Sequence, residues 1–135
     1  MKINHDYLKG LLEAFEAAGK PTTDIEELKA CGYDYEEDNF IFHLQILNDQ
    51  NLVEAENGDG LGYRKGADGF VIWSVIPLRL TAQGHEFLEA LRNSKVWETI
   101  KTEFKDASIG TLCRVGKQLL EGYTKRKISK LLGNE

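Results

Sequence analysis

Apolar positions recur along this chain with two periods, and the element changes where the period changes. Tyr7, Leu8, Leu11, Leu12, Phe15 and Ala18 fall at three- and four-residue steps. That spacing predicts one stripe of a helix starting near Asn4–Asp6 and ending at Gly19. Gly19 suits a left-handed terminus, and Pro21 blocks continuation. A short second helix follows. Thr23 and Glu26 have capping-box spacing, Ile25 and Leu28 point inward, and Gly32 ends it. A third helix opens at Asp34 or Tyr35, with acidic residues in the first turn where the helix dipole favours them. Phe40, Leu44 and Leu47 form its core face, with Ile41 beside them. Asn51 follows, a residue that tolerates the left-handed conformation needed at a helix end.

Beyond Asn51 the reading changes to strands. Leu52 and Val53 begin the first, and a segment from Asn57 to Gly69 holds five glycines in thirteen residues, which fits a mobile hairpin tip. The return strand Phe70–Ile76 leads through Pro77 into Leu78-Arg79-Leu80. Thr81 then caps a fourth helix whose inward residues are Phe87, Leu88 and Leu91. The order helix, strand, flexible tip, strand, helix is that of an α+β winged helix-turn-helix with a two-stranded wing. Two helices extend past it. Ser94 caps one carrying Val96, Trp97, Ile100 and Phe104. The other starts near Ser108 and aligns Ile109, Leu112, Cys113, Gly116, Leu119, Leu120 and Tyr123. Lys125-Arg126-Lys127 interrupts that stripe before Ile128, Leu131 and Leu132 resume it. Residues 1–93 are therefore expected to form the winged-helix domain. Residues 94–135 form a helical extension packed on the domain or on a dimer partner.

The segments His43 to Ala55 (HL-x-x-L-x-x-x-x-LVEA) and Leu80 to Arg92 (LTAQGHEFLEALR) resemble winged-helix proteins in general. The longer segment IPLRLTAQGHEFLEALRNSKVWETIK, Ile76 to Lys101, resembles a family of short bacterial and prophage proteins catalogued as a domain of unknown function. The resemblance covers residues 1 to about 105, with the final helix beyond it. It implies a winged-helix fold and an association with mobile elements, and it carries over no catalytic residue. Asn51 stands where the wider pattern has glycine; both suit the turn.

At 135 residues, 41% apolar and 29% charged, the chain has the composition of one ordinary globular domain. The longest apolar run is Phe70-Val71-Ile72-Trp73, far short of the roughly 20 residues of a membrane span. The N-terminus lacks the apolar core of a signal peptide. Cys31 and Cys113 make neither a disulfide framework nor a metal spacing. A reduced, cytoplasmic protein without membrane contact is expected. The net charge of −5 is unevenly spread. Residues 1–60 hold fourteen Asp/Glu and four Lys/Arg, giving −10; residues 61–135 hold eight and thirteen, giving +5. Such asymmetry fits an oriented partner or head-to-tail self-association, or two halves that neutralise each other across one surface.

Enzyme signatures are weak. His85-Glu86-x-x-Glu89 begins like a zinc-protease helix, but Glu89 replaces the second histidine, so a solvated helix face is expected. His5 and His43 lack partners at motif spacing and read as structural or surface residues. Asn57, Asp59, Gly62 and Asp68 mimic four positions of a calcium loop, yet Leu61 offers no side-chain oxygen and strands should flank the segment. No cofactor is expected, and no enzyme.

The fold points toward DNA, with Gln45 and Asn48 placed to read bases and Arg64, Lys65 and Arg79 placed to meet phosphates. From Asp34 to Gln50, however, there are five Asp/Glu and no Lys or Arg, a field repulsive to phosphates. Phe42 and Ile46 lie opposite the core stripe of helix three and read as a protein contact or as residues covered by the C-terminal helices. Lys125, Arg126, Lys127 and Lys130 either bind phosphate, meet the acidic half of a second subunit, or form a solvated face. The leading expectation is a non-enzymatic winged-helix module acting through protein contacts or self-association, with weak wing-mediated DNA binding alongside. The dimer would form through helix three or the C-terminal helices. The second reading is a sequence-specific DNA-binding regulator from a prophage or mobile element.

Overall fold

Most of the helices begin at a side chain that accepts the unpaired backbone N–H groups of a first turn. In the computed structural model, which describes residues 1–58 and 60–133, Asn4 caps α1 (His5–Glu16) and Asp24 caps α2 (Ile25–Ala30). Thr81 caps α4 (Ala82–Arg92), Asn93 caps α5 (Ser94–Glu103) and Ser108 caps α6 (Ile109–Leu131). α3 (Asp38–Asp49) starts behind Glu37 without a side-chain cap. Asp59 of the calcium-like spacing and the last two residues of the expected extension lie outside the described residues. The described residues form an α+β structure of six helices and two small antiparallel sheets.

Several boundaries differ from the sequence expectation. α1 stops at Glu16 and not at Gly19, because Phe15 is the last side chain of its stripe to enter the core. Asp24 displaces Thr23 as cap. Its carboxylate accepts from the N–H groups of Glu26 and Glu27, both at 2.9 Å, while the Thr23 backbone is engaged by Leu78. The Thr23 N–H donates to Leu78 O at 2.7 Å and the Leu78 N–H returns to Thr23 O at 2.8 Å, so buried Thr23 belongs to the base of the hairpin. α3 begins about a turn later than expected, because Asp34 uses its carboxylate to accept from Glu36 N–H in a preceding turn. Asn93 replaces Ser94 as the cap of α5, accepting from Lys95 and Val96 N–H at 3.0 and 3.2 Å.

The hairpin is built in two stages. β1 (Val53–Ala55) pairs with β4 (Leu78–Leu80) at its base, in the register Val53↔Leu80. β2 (Tyr63–Lys65) pairs with β3 (Val71–Trp73) farther out, with Tyr63 opposite Trp73. The expected single return strand is thus split, and Ser74–Pro77 bridges the two pairings. At the base, the alternation of buried Val53 and Ala55 with half-exposed Glu54 turns one face to the core.

Asn51 ends α3 at φ 58°, the left-handed value expected there. Thr81 folds back on this corner: its N–H donates to Leu52 O at 3.0 Å and its hydroxyl to Asn51 O at 2.5 Å. Gly84, one turn into α4, lies so close that an added Cβ would sit 2.0 Å from Leu52 O. This gives a physical reason for the glycine in the Leu80-Thr81-x-x-Gly84-x-x-Phe87 segment.

One core runs through the molecule. Leu8, Leu11 and Leu12 of α1 meet Phe40, Leu44 and Leu47 of α3, Leu78 and Leu88. Val96, Ile100, Ile109 and Leu112 join the same cluster, so α5 and α6 pack on the body of this chain through α4. Gly116 of α6 is buried beside Ala90 and Phe87.

His43 is fully buried and structural. Its Nδ1 is 2.7 Å from Asn39 O and its Nε2 is 3.0 Å from Asn4 N, so Nδ1 carries the proton and Nε2 accepts the Asn4 N–H. Burial lowers its pKa below 6.5, with the Asn39 bond opposing.

Two outcomes are expected. Alanine is the better helix former by about 1 kcal/mol, yet Gly84→Ala should destabilise, by about 3 kcal/mol in denaturant melts, because backbone must move to admit the methyl group. Second, because the folded-state pKa of His43 is depressed, its contribution is fully present above pH 6.5 and is lost as pH falls toward its folded value. Stability should therefore decline as pH falls below 6.5, before the carboxylates titrate. His43→Gln should flatten that decline in melts followed by circular dichroism.

Candidate functional site

The hairpin is held against α3 by aromatic side chains. The Trp73 ring lies 4.9 Å from Tyr63 and 5.8 Å from both Tyr35 and Phe40, centroid to centroid. Trp73 bore no assigned role in the sequence pattern, because a tryptophan in a strand signals burial without naming its neighbours. Tyr63 of this cluster also lines a hollow of about 540 Å³ between α3 and β2, with Gln45, Asn48, Asp49, Gly60 and Leu61. Gln45 donates its amide N–H to the Tyr63 hydroxyl. The two expected base readers thus share one groove, with Gln45 tied to the hairpin and the carboxylate of Asp49 beside Asn48.

The expected phosphate contacts are divided. Arg64 and Lys65 are exposed on β2, and neither has an ion-pair partner among the described residues. Arg79 instead pairs with Glu54 across the hairpin base at 3.4 Å. Other cations of the basic half are also engaged. Arg92 meets Glu16 at 2.7 Å and Glu13 at 3.7 Å, and Lys101 meets Asp6 at 3.2 Å. The uneven charge of the two halves is therefore partly neutralised within the chain. At exposed positions such pairs contribute little stability.

Phe42 and Ile46 are half-buried. Ile46 packs on the core, whereas Phe42 lines a hollow with Ile3 and Ala107, among others. The N-terminal segment thus shares in covering Phe42, together with the turn before α6. That role was invisible in the sequence because Met1–Ile3 precede every periodic segment. Apart from Met1, the larger exposed apolar side chains lie elsewhere, at Phe70, Ile72 and Val75 of the hairpin and at Ile128, Leu131 and Leu132 at the end of α6. Lys125, Lys127 and Lys130 are exposed beside the latter group without an ion-pair partner among the described residues. Arg126 lies 5.1 Å from the Tyr123 ring.

His85, Glu86 and Glu89 are exposed along α4, and among the described residues no three His, Cys, Asp or Glu side chains gather to hold a metal ion. Burial pushes the Cys113 thiol up to about 11, which keeps it protonated at neutral pH; Cys31 is exposed. The Tyr7 hydroxyl is buried without a hydrogen-bond partner, and burial, then the Glu37 carboxylate, raises it to about 12. Among the described residues no helix is long and apolar enough to cross a membrane.

No solved structure matches the chain. An uncharacterized protein of Haemophilus influenzae is 28% identical over 121 residues, which is 90% of this chain and 93% of that protein. The family model described as hypothetical protein (DUF2513) matches residues 2–110. That match spans α1 to α5, the hairpin and the first two residues of α6, and the chain belongs to the DUF2513 family.

Proposed function

We propose that the chain is a non-enzymatic winged-helix module that acts through protein contacts, self-association foremost. The winged-helix reading is supported by the order α1, α2, α3, hairpin, α4 and by the Thr23–Leu78 bridge that ties the α1–α2 link to the hairpin base. The observation that carries the functional reading is the charge of α3 and its approach. Glu36, Glu37, Asp38 and Asp49 are exposed there, and no Lys or Arg lies between Asp34 and Gln50. A helix laid in a major groove would bring those carboxylates against phosphates, where like charges repel over about 8 Å at physiological salt.

One observation favours a second reading, in which the hairpin touches DNA. Arg64 and Lys65 are exposed and uncompensated among the described residues, at the edge of the groove that holds Gln45 and Asn48. This is the surface by which a prophage or mobile-element regulator of this fold would engage a duplex.

A salt titration of duplex binding separates the two. The protein should bind unrelated duplexes alike and weakly at physiological salt. Replacing Arg64 and Lys65 by Ala should reduce the slope of log K against log salt by up to about 2, while Gln45→Ala leaves it unchanged. Tight binding to one sequence, abolished by Gln45→Ala and kept by the hairpin variant, would put the regulator first.

A further inference from the structure

We infer that the partner is a second copy of this chain, bound through the groove between α4 and the exposed end of α6. The inference rests on the self-association reading and gives it a surface. Upstream of Tyr123, α6 buries Ile109, Leu112 and Gly116 against the body of the domain. At about 100° per residue, Lys127 and Lys130 continue that same side of the helix beyond the body. The apolar residues of the tail lie beside that line, with Leu131, Ile128 and Leu132 turned about 40°, 100° and 140° from Lys127. Ile128 and Leu131 follow in line from Cys113, Leu120 and Thr124, on the side that borders the groove.

The groove consists of two adjoining hollows of about 420 and 660 Å³ that share Glu89, Leu120 and Glu121 in their walls. Its apolar floor comes from Leu52, Phe87, Cys113 and Leu120, and it runs out along α6 to Ile128. Ile128 is 50% exposed, Leu131 76% and Leu132 69%, so the tail ends in an apolar stripe with no cover among the described residues. Leaving such side chains in water forfeits the favourable free energy of burial, so a partner that covers them is stabilised.

Charge identifies the occupant. The groove lining carries Glu86 and Glu89 on its α4 side and Glu121 with Lys117 and Lys125 on its α6 side, and none of the three glutamates is in an ion pair among the described residues. From Thr124 to Gly133 the tail carries Lys125, Arg126, Lys127 and Lys130 and no acid. Lys125 and Ile128 line the outer end of this chain's own groove, and because α6 stays helical to Leu131 the tail beyond them does not fold back onto Glu86 and Glu89. Two copies related by a two-fold axis satisfy both at once. The α6 helices run antiparallel, and each places Ile128 and Leu131 against the other's groove while its lysines meet the other's glutamates. A self-complementary patch of this kind closes as a dimer.

Sedimentation equilibrium of the full chain tests this, alongside circular dichroism to verify that each variant is folded. The wild type should run at twice the 15.3 kDa chain mass, and Leu131→Glu should raise the dimer Kd at least about tenfold. Glu86→Lys/Glu89→Lys and Lys125→Glu/Lys127→Glu should each be monomeric alone, and an equimolar mixture of the two should recover the dimer. In that heterodimer both tail–groove contacts pair opposite charges, so misfolding cannot account for rescue. Cys113 gives an independent reading. Its alkylation relative to exposed Cys31 should slow as wild-type concentration rises, but not in Leu131→Glu. A wild type monomeric throughout would overturn the inference and the self-association reading together. A wild-type dimer that ignores Leu131→Glu and both charge reversals would overturn the groove and leave self-association standing.

Discussion

Where α3 ends, Asn51 turns the chain through a left-handed residue and presents two consecutive carbonyls, its own and that of Leu52, to Thr81. The Thr81 hydroxyl donates to the first, its N–H donates to the second, and its oxygen still accepts the N–H of Gly84 to start α4. One residue thereby joins the end of α3, the hairpin base and the start of the next helix. The absence of a side chain at Gly84 lets α4 approach that corner closely enough to set Phe87 and Leu88 into the core. The positions of α5 and α6 follow, since both pack against α4.

From that placement comes the distribution of charge that the functional reading uses. α4 carries Arg92 to Glu13 and Glu16 of α1, and α5 carries Lys101 to Asp6, so part of the basic half is spent on the acidic half within one molecule. The cations without an ion-pair partner among the described residues include Arg64 and Lys65 on the hairpin, the lysines at the end of α6, and Lys105 and Lys117 nearer the body. The acids left over include those around the start of α3 and those bordering the α4–α6 groove. Unpaired charges of this kind suit oriented contacts, because they steer encounter and choose a partner while adding little to fold stability.

Much of the architecture was legible in the chain because it depends on local chemistry. Period 3.6 revealed α1, α3, α4 and α6, and most stripe residues of the first three are buried. Along α6, Ile109, Leu112 and Gly116 are buried, Cys113, Leu119, Leu120 and Tyr123 are half-buried, and Ile128, Leu131 and Leu132 are exposed. Asn51 and Thr81 occupy the turn and cap positions their chemistry suggested, and the last helix starts just after Ser108, near where its pattern begins. Two caps fall one residue from the expected position. Thr23 and Ser94 are good caps in isolation, but neighbouring Asp24 and Asn93 offer an equally good acceptor and make the bonds. Thr23 was taken by a strand contact with Leu78, 55 positions away in sequence, which no local pattern can register.

The site was less legible, and for a physical reason. Sequence determined that α3 lacks cations, that the hairpin has two, and that the final helix alternates apolar and basic residues after Tyr123. These are properties of residues, present whatever the chain folds into. Which of the charges find partners is a property of distances. Only the tertiary structure decided that Arg79 is matched by Glu54, that Gln45 is held by Tyr63, that Trp73 locks the hairpin to α3, and that His43 is a buried neutral link to the N-terminal segment. It decided too that α4 and α6 leave a groove beside an uncovered apolar stripe, because a groove exists only between elements whose spacing is set by packing far from it.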